Sequence, residues 1–487
     1  MKTLHLNQIL VPICLSALIS CGGGQGKAPE LTCEADLPGH VLTTMAGSCY
    51  DTKYSQVEGI VPMLMNSEAD AIQAVCQGMA DVFVTDEILL TAETLKELGL
   101  KVAFLGEDEF ACAIAFPKGD TDILPEFNEF LAMIKADGTL DAIADYWLHG
   151  GPPVPYPEAA EIKNEKPIRF SVAVSTAPIS YIKDGEWTGL DPDLMKRFCT
   201  WAGRKVEINY LALASAIVGL QTGQLDAMGG SISATEERRA YVDFSEPYYL
   251  CHPAFFVKDE SAVSEGGFFA RMKKSFRSNF LVEKRWKLLT DGLLVTIEIT
   301  LLAILLGTLL GIGYCFLATS RRRWMRTAAG VYDYLMQGIP ILVLLLIMFY
   351  VVFAGSGISA VWVAVVTFAL NFAASAGNVF ASSIASVQKG QWEAGDALGF
   401  TPVQTFRWII FPQALKNGLA PYEGHCISLL KGTSIVGYIA VMDITRASDL
   451  LRSRTFEAVM PLLAVTVLYF VLAWLLRRLL DLALLKK

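Results

Sequence analysis

Residues 393–412, EAGDALGFTPVQTFRWIIFP, decide how the rest of the chain is interpreted. The stretch carries charged and turn-forming residues, yet long apolar segments flank it on both sides. The sequence therefore predicts a water-exposed loop inside a membrane domain. Glu393, Ala394 and Leu398 belong to a short predicted helix, and Gly399 supplies a turn without strain at a Cβ atom. The simpler alternative is an ordinary polar loop between two membrane helices.

This stretch resembles the cytoplasmic EAA loop of ABC importer permeases. The residues that match the family pattern at its spacing are Glu393, Ala394, Gly399, Ile409 and Pro412. Gly395 and Phe411 depart from the pattern. In that family the loop forms two short helices that dock onto an ATPase subunit. The resemblance thus implies an ATPase-coupling loop at residues 388–416, with Glu393, Ala394, Gly399 and Pro412 in it.

Long apolar runs around this loop predict an all-α membrane domain at residues 288–487. Five helices are expected to span the membrane, at 293–318, 331–353, 360–386, 419–442 and 460–476. Gly307 and Gly311 predict a close-packing face on the first span. The EAA-like loop and the basic C-terminus lie inside under this arrangement, and the chain before the first span lies outside.

Composition agrees with a soluble part joined to a membrane part. The chain has 487 residues, of which 53% are hydrophobic and 18% are charged. This length predicts roughly three domains. The net charge of −9 gives no indication of nucleic-acid binding.

The N-terminus resembles a bacterial lipoprotein signal. Residues 1–21 contain a short positive start, an apolar core and the sequence LISC, which ends at Cys21. The core is too short for an ordinary membrane span. The resemblance implies lipidation of Cys21, while a plain signal peptide or an uncleaved anchor remain alternatives. All three predict export of the residues after this segment.

The cysteine pattern indicates no metal site. Ten cysteines are present, and none stands in a CxxC or Cys/His spacing typical of a metal centre. Disulfides are permitted in the exported part, and Cys112 and Cys251 are candidates if their strands neighbour each other. We expect no catalytic residues, no metal and no cofactor.

Residues 30–258 predict an exported α/β domain whose later half carries three motifs. These are GLDPDL at 189–194, LQTGQLDA at 220–227, and TEER followed by VDFSEPYY at 235–249. They resemble the first lobe of the amino-acid-binding proteins of ABC importers. The earlier half resembles the second lobe of the same family at 38–110, and then the end of the first lobe at 111–150.

The family's order of parts is thus reversed, with a proline-rich linker at 150–157 between the halves. The simplest interpretation is a circularly permuted type II periplasmic-binding-protein fold. Its second lobe is expected at 38–110 and its first lobe at 111–150 plus 166–258. Termini that meet at a surface permit such a permutation. Remnants of two incomplete tandem domains are the alternative.

The resemblance also implies a site for an amino-acid zwitterion. The residues that align with the family's ligand contacts are Arg238, Asp86, Ser231, Ser233 and Ser48. A guanidinium group suits the ligand's carboxylate, and an aspartate suits its ammonium group. In the plainer interpretation, Arg238 lies on a solvated helix face and Asp86 caps a helix.

Residues 259–287 are basic, with phenylalanines interleaved, and predict an amphipathic linker at the membrane surface. The chain as a whole therefore resembles a binding protein fused to a permease of the polar amino acid uptake family. The expected ligand is a polar amino acid such as glutamine, glutamate or histidine. The expected partners are a cytoplasmic ATPase subunit and a second permease chain in a homodimer.

The expected location is the bacterial inner membrane, with the binding domain on the outer side. The sequence lacks GxxxxGK[ST], so this chain is not the ATPase. A ligand-gated channel or sensor on the same binding fold is one alternative. A membrane-tethered enzyme on that fold is another.

Overall fold

The computed structural model describes residues 31–259, 261 and 268–485. The predicted signal segment 1–21 lies outside the described residues, as does the candidate lipidation residue Cys21. Strands and short helices alternate up to Lys258, and longer helices follow from Phe268. We call residues 31–258 the α/β region and residues 268–485 the helical region.

The strands of the α/β region form two five-stranded sheets and two small ladders. Their bounds are β1 Val41–Met45, β2 Val61–Met65, β3 Val82–Asp86, β4 Leu100–Leu105, β5 Phe110–Cys112, β6 Ala115–Pro117, β7 Asn164–Val172, β8 Tyr181–Lys183, β9 Glu186–Thr188, β10 Arg204–Tyr210, β11 Ala227–Gly229, β12 Val242–Phe244, β13 Tyr249–Cys251 and β14 Pro253–Lys258. The second-lobe sheet has the order β2-β1-β3-β14-β4, and the first-lobe sheet has the order β10-β7-β11-β6-β12.

Each sheet combines strands from both halves of the α/β region. β14 pairs antiparallel with β3 and β4 in the second lobe. β6 pairs antiparallel with β11 and β12 in the first lobe. The predicted first-lobe range 166–258 is therefore too long at its end, because β14 belongs to the second-lobe sheet. The reason is that the chain crosses back between the lobes at β13.

Two neighbouring strands carry the chain between the lobes. β5 and β13 pair antiparallel, with Tyr249 opposite Cys112 and Cys251 opposite Phe110. β5 leads from the second lobe into β6 of the first lobe, and β13 leads from the first lobe into β14 of the second. The two crossings thus lie side by side, as in a hinge, and they carry the disulfide candidates Cys112 and Cys251 on neighbouring strands.

The helices of the α/β region begin after hydroxyl side chains at several places. Their bounds are Cys49–Tyr54, Glu68–Cys76, Ala92–Leu98, Ile123–Ala136, Thr139–His149, Leu190–Ala202, Leu213–Gln221 and Glu236–Arg239. The side chains of Ser48, Ser67, Thr91 and Thr235 each accept a hydrogen bond from a backbone N–H in the following turn. Such caps satisfy donors that a helix leaves unpaired at its start.

The linker between the two halves packs against the first lobe. Asp193 and Arg197 form a buried ion pair of 2.9 Å on one helix. The Arg197 guanidinium donates to the carbonyl of Pro155 at 2.7 Å, and the Tyr156 hydroxyl donates to Asp193 at 2.5 Å. These bonds hold residues 150–157 against the first lobe.

The helical region contains three helices long and apolar enough to cross a membrane, Trp286–Ala318, Ala360–Ala385 and Val459–Leu482. The number rises to five if two bent pairs each count as one span. The helix bounds are Phe268–Phe276, Trp286–Ala318, Arg323–Gly338, Ile341–Ile347, Ala360–Ala385, Lys389–Ala397, Pro402–Thr405, Phe411–Gly432, Ile444–Thr455 and Val459–Leu485.

The predicted span 331–353 is not one continuous helix. Arg323–Gly338 and Ile341–Val352 lie at 102° to each other. Pro340 has no backbone N–H and disfavours helical angles at the residue before it, and Ile339 is accordingly extended. The bend therefore follows from a proline that the apolar pattern alone does not reveal.

The predicted close-packing face on the first span is confirmed. A Cβ atom on Gly307 would lie 2.7 Å from the carbonyl oxygen of Ala369. A Cβ atom on Gly311 would lie 3.1 Å from the carbonyl oxygen of Ala373. Small residues thus let the first span approach the helix Ala360–Ala385 closely.

The helix Ile444–Thr455, which the sequence analysis does not anticipate, contacts both lobes of the α/β region. Arg452 forms an ion pair with Asp70 of the second lobe. The Arg446 guanidinium lies 3.8 Å from the centre of the Tyr210 ring in the first lobe. One helix of the helical region therefore holds both lobes.

Candidate functional site

A small cavity lies between the two lobes of the α/β region, and its volume is about 30 Å³. Its lining includes all the predicted ligand-binding residues, Ser48, Asp86, Ser231, Ser233 and Arg238. The structure thus brings residues from opposite ends of the α/β region to one place.

Asp86 is the last residue of β3 and is 4% exposed. One carboxylate oxygen accepts a hydrogen bond of 2.6 Å from the Ser231 hydroxyl, and the other accepts one from the Tyr50 hydroxyl. Burial raises the pKa of Asp86, and these two donors oppose the shift. The carboxylate makes no capping bond to the turn that comes after it, so helix capping does not explain Asp86.

Arg238 connects the lobes through two backbone carbonyls. Its guanidinium donates to Ser233 at 2.9 Å and to Gly47 of the second lobe at 2.8 Å. Burial lowers the pKa of Arg238. The other residues of the helix Glu236–Arg239 are exposed, so Arg238 alone turns into the cleft.

The three predicted serines have different partners. The Ser231 hydroxyl binds Asp86, and the Ser233 hydroxyl lies 3.3 Å from the Cys49 sulfur. The Ser48 hydroxyl accepts the backbone N–H of Asp51 at 3.1 Å and thereby caps a helix. The side chain of Ser48 is therefore engaged in local structure, whereas Ser231 reaches across the cleft.

Asp191 holds the backbone of the cleft loop, a role that the sequence analysis did not assign. It is fully buried and accepts hydrogen bonds from the N–H groups of Gly230 and of Ser231, the latter at 3.1 Å. Its other oxygen accepts the Tyr248 hydroxyl at 2.6 Å. Burial raises the pKa of Asp191. The available signal was its place in the GLDPDL motif at 189–194.

Glu68 is a second acidic residue in the cavity lining that the sequence analysis did not single out. Its carboxyl group accepts a hydrogen bond of 2.7 Å from the Thr85 hydroxyl. Burial raises the pKa of Glu68 to about 8. Glutamate is common in the first turn of a helix, so its position at the start of Glu68–Cys76 gave no signal of a binding role.

Two thiols lie beside the cavity on the crossing strands. The sulfur atoms of Cys112 and Cys251 are 2.9 Å apart, and both residues are buried. Together with Asp86 they place three potential metal-ligand atoms within 4.8 Å of one another. In the described residues, however, Asp86 already accepts two hydroxyl groups and the thiols contact each other. Sequence spacing cannot reveal such a cluster, because its members are far apart along the chain.

The loop at 388–416 consists of two short helices joined by a glycine turn, as expected from the sequence. The helix Lys389–Ala397 is followed by Gly399 with φ of 76°, and Pro402–Thr405 begins a second short helix. Glu393, Ala394, Gly399 and Pro412 are all exposed. The departure at Gly395 has a steric reason, because a Cβ atom there would lie 2.4 Å from the Thr405 side chain.

The cavity is chemically suited to a small zwitterion but is too small to hold one. It presents carboxylates and a guanidinium group from different elements, which fixes opposite charges in separate places. A volume of 30 Å³ accommodates only two or three water molecules, at about 10–15 Å³ each. A ligand the size of an amino acid therefore requires rotation of the lobes at β5 and β13.

Comparisons with known proteins identify both parts of the chain. Residues 168–403 match the family model of bacterial extracellular solute-binding proteins, family 3. A probable amino-acid ABC transporter permease protein, YckA of Bacillus subtilis, is 32% identical over 37% of this chain and 80% of its own length. The L-cystine transport system permease protein TcyB of the same organism is 32% identical over 39% of this chain and 82% of its own length.

An arginine ABC transporter permease protein, ArtM of Haemophilus influenzae, is 29% identical over 35% of this chain and 79% of its own length. A solved amino acid ABC transporter with histidines is 29% identical, covers 46% of this chain and all of its own, and has a TM-score of 0.39. Since the chain covers at least four fifths of two permeases at 32% identity, it belongs to the family of amino-acid ABC transporter permeases, joined here to a solute-binding part of family 3.

Proposed function

We propose that this chain is the substrate-binding and permease subunit of an importer that takes up a polar amino acid across a bacterial inner membrane. The α/β region captures the amino acid on the outer side, and the helical region carries it across. A separate cytoplasmic ATPase drives the cycle. The observation that supports this most strongly is that Asp86 and Arg238 line one cavity between two hinged lobes.

The contacts of these two side chains suggest how a zwitterion is held. The two guanidinium N–H groups that Arg238 donates to Gly47 and Ser233 suit a ligand carboxylate equally well. The Asp86 oxygens that accept Ser231 and Tyr50 suit an ammonium group. In the liganded cleft each hydrogen bond then joins two charged groups instead of one charged and one neutral group, which strengthens it.

The α/β region is, in this proposal, one circularly permuted binding domain at residues 30–258. The sheet topology supports this. β6 of the earlier half completes the first-lobe sheet and β14 of the later half completes the second-lobe sheet, so neither half contains all strands of either sheet. The bonds that hold residues 150–157 against the first lobe support it further, because the new connection behaves as part of the domain. In this proposal the binding domain is followed by the basic linker at 259–287 and then by the membrane domain at 288–487.

The loop at 388–416 couples the membrane domain to the ATPase. Exposed apolar side chains surround its glycine turn, with Leu398 at 68% and Val403 at 75% exposure. Trp408, which follows the second short helix, is exposed as well. An apolar surface close to the Glu393 carboxylate is suited to a protein partner. Pairing with a second permease chain, and the outward orientation of the binding domain, are inferred from the resemblance to the family.

Binding measurements on the purified full chain in lipid nanodiscs test the proposal. Titration calorimetry against the twenty amino acids is expected to give a saturable signal. Arg238→Ala and Asp86→Asn should each weaken binding at least tenfold, since a hydrogen bond to a charged group contributes about 1.5–3 kcal/mol. Arg239→Ala is the matched control, because Arg239 is exposed on the same short helix. Unchanged binding in both cavity variants would overturn the assignment.

A further inference from the structure

Glu68 gives the cavity one more acidic group than a simple zwitterion needs. The charged residues that line the cavity, among those the structure describes, are Glu68, Asp86 and Arg238. The ligand carboxylate pairs with Arg238, and the ligand ammonium pairs with Asp86. The carboxyl group of Glu68 is then left without a partner of opposite charge.

Asp86 and Glu68 differ in the number of hydrogen bonds that their carboxyl groups accept. Asp86 accepts two hydroxyl groups, from Ser231 and Tyr50. Glu68 accepts one, from Thr85, in the part of the chain that the structure describes. Glu68 is half-buried, and a carboxylate partly withdrawn from water is stabilised by a cation or by several donors nearby. Glu68 is therefore the group in this cavity that most needs an added positive charge.

The surroundings of Glu68 suit the apolar stem of a long side chain. Met45 and Leu213 line the cavity beside it, and both also line a larger cavity of about 530 Å³ between the lobes and the helical region. Asn66 and Ser67, which precede Glu68, line that larger cavity as well. The small cavity thus shares two apolar lining residues with a larger cavity, which residues next to Glu68 in the chain also line.

We propose that Glu68 selects an amino acid with a cationic side chain, such as an ammonium or guanidinium group on a methylene stem. This inference rests on the proposed function, because it assigns the third charged contact of the same site. It narrows the ligand class from polar amino acids in general to the cationic ones. A neutral amide ligand, whose carbonyl would accept a hydrogen bond from a protonated Glu68, is the competing outcome.

The charge on Glu68 makes the two outcomes differ in their pH dependence. The charged or titratable groups on the elements around Glu68 are Asp86 on β3, Asp70 on its own helix, Tyr210 at the end of β10, and Arg238 across the cavity. The helix Ile444–Thr455 adds Arg446, Asp449 and Arg452, of which Arg446 lies against Tyr210 and Arg452 pairs with both Asp70 and Asp449. A cationic ligand binds the ionised form of Glu68, so binding releases a proton. Its affinity should then rise up to about tenfold per pH unit until Glu68 is ionised without ligand.

The test compares lysine, arginine, glutamine and glutamate as ligands of the full chain in nanodiscs, by calorimetry at pH 6.5 and pH 8.5. We expect lysine or arginine to bind at least tenfold more tightly than glutamine, with the larger affinity at pH 8.5. Glu68→Gln should remove that preference and its pH dependence, while Glu68→Asp should keep part of both. Glu93→Gln is the control, since Glu93 is an exposed acid of the same lobe. Thermal unfolding of each variant verifies its fold.

Two results would overturn the inference. One is tighter binding of glutamine or glutamate than of either cationic ligand. The other is an unchanged cationic preference in Glu68→Gln. If amino-acid binding in those cases still depends on Arg238 and Asp86, the proposed function stands and only the ligand class is wrong. If no amino acid binds at all, the proposed function itself fails.

Discussion

The Ser231 hydroxyl donates a hydrogen bond of 2.6 Å to the Asp86 carboxylate, and this bond joins the first lobe to the second. The backbone N–H of Ser231 is held in turn by the buried Asp191. A chain of polar contacts thus runs from the core of one lobe to the Asp86 carboxylate of the other. These bonds stabilise the approach of the two lobes, and under the proposed function a ligand has to displace them.

Replacing Ser231 by alanine is expected to open the unliganded cleft. The variant removes a hydrogen bond to a charged acceptor, which contributes about 1.5–3 kcal/mol. Faster amide hydrogen exchange should result in the helix Cys49–Tyr54 and in residues 230–234, which contribute to opposite sides of the cavity. Ser55→Ala, an exposed site of the second lobe, serves as control. Identical exchange in Ser231→Ala and the native chain would show that the bond does not hold the lobes together.

Glu68 is expected to make the folded chain less stable as the pH rises. Its pKa is about 8 in the fold and about 4.3 in an unfolded chain, so the folded state retains the proton longer. Stability should therefore fall between about pH 4.3 and pH 8 and level off above that range. Thermal unfolding of the ligand-free chain at pH 5, 6.5 and 8 measures this. Glu68→Gln should show a smaller decline, and equal declines would contradict the assignment.

Changes in the loop 388–416 are expected to separate binding from transport. Gly399 has φ of 76°, and valine in that region costs about 1–2 kcal/mol, so Gly399→Val should distort the turn. Glu393→Lys reverses a charge on the helix before it. Both variants should bind amino acid normally yet lose uptake and ligand-stimulated ATP hydrolysis in the presence of the ATPase. Gly330→Ala is the control, because Gly330 lies outside this loop and nothing lies within 4 Å of a Cβ atom there. Normal stimulated hydrolysis in both variants would exclude this docking surface.

The thiols of Cys112 and Cys251 are expected to form a disulfide under oxidising conditions. Their sulfurs are 2.9 Å apart on neighbouring crossing strands. The bond to Cys112 and burial raise the pKa of Cys251, so alkylation should be slow at neutral pH. Incubation with oxidised glutathione, followed by mass spectrometry, should show loss of both thiols together and release of two reduced glutathione molecules. Cys199, a buried thiol on another element, should remain free. Independent reaction of the two thiols would contradict the pairing.

Separate expression of residues 30–150 and 160–258 tests whether the α/β region is one domain. Each fragment lacks strands of both five-stranded sheets, so neither should unfold cooperatively alone. Mixing the fragments should restore a cooperative transition and, with it, amino-acid binding. Circular dichroism during heating measures the transition. Cooperative unfolding of either fragment by itself would favour two independent halves.

The sequence was sufficient for features that depend on local pattern. The motif at 189–194 indicated the first lobe, the spacing around Gly399 indicated two short helices joined by a turn, and Gly307 indicated a helix contact. It was not sufficient where the deciding contact is distant. Glu68 resembles any acid at a helix start until Thr85 and the cavity are placed beside it. The bend at Pro340 is a second example. Hydropathy predicts that residues 331–353 are apolar enough to span a membrane, but it does not predict the angle between two helices within that segment.

The helix Ile444–Thr455 binds the second lobe through Arg452 and the first lobe through Arg446. Rotation of the lobes away from each other cannot preserve both contacts on one rigid helix. The energy of these contacts therefore contributes to the equilibrium between open and closed cleft. By thermodynamic linkage, any rearrangement of the membrane helices that shifts Ile444–Thr455 changes ligand affinity by some factor, and the ligand must bias that rearrangement by the same factor. In a separate binding protein that dissociates from the permease, ligand affinity is independent of the membrane helices while the two are apart. In a fused chain, the two remain coupled at every stage.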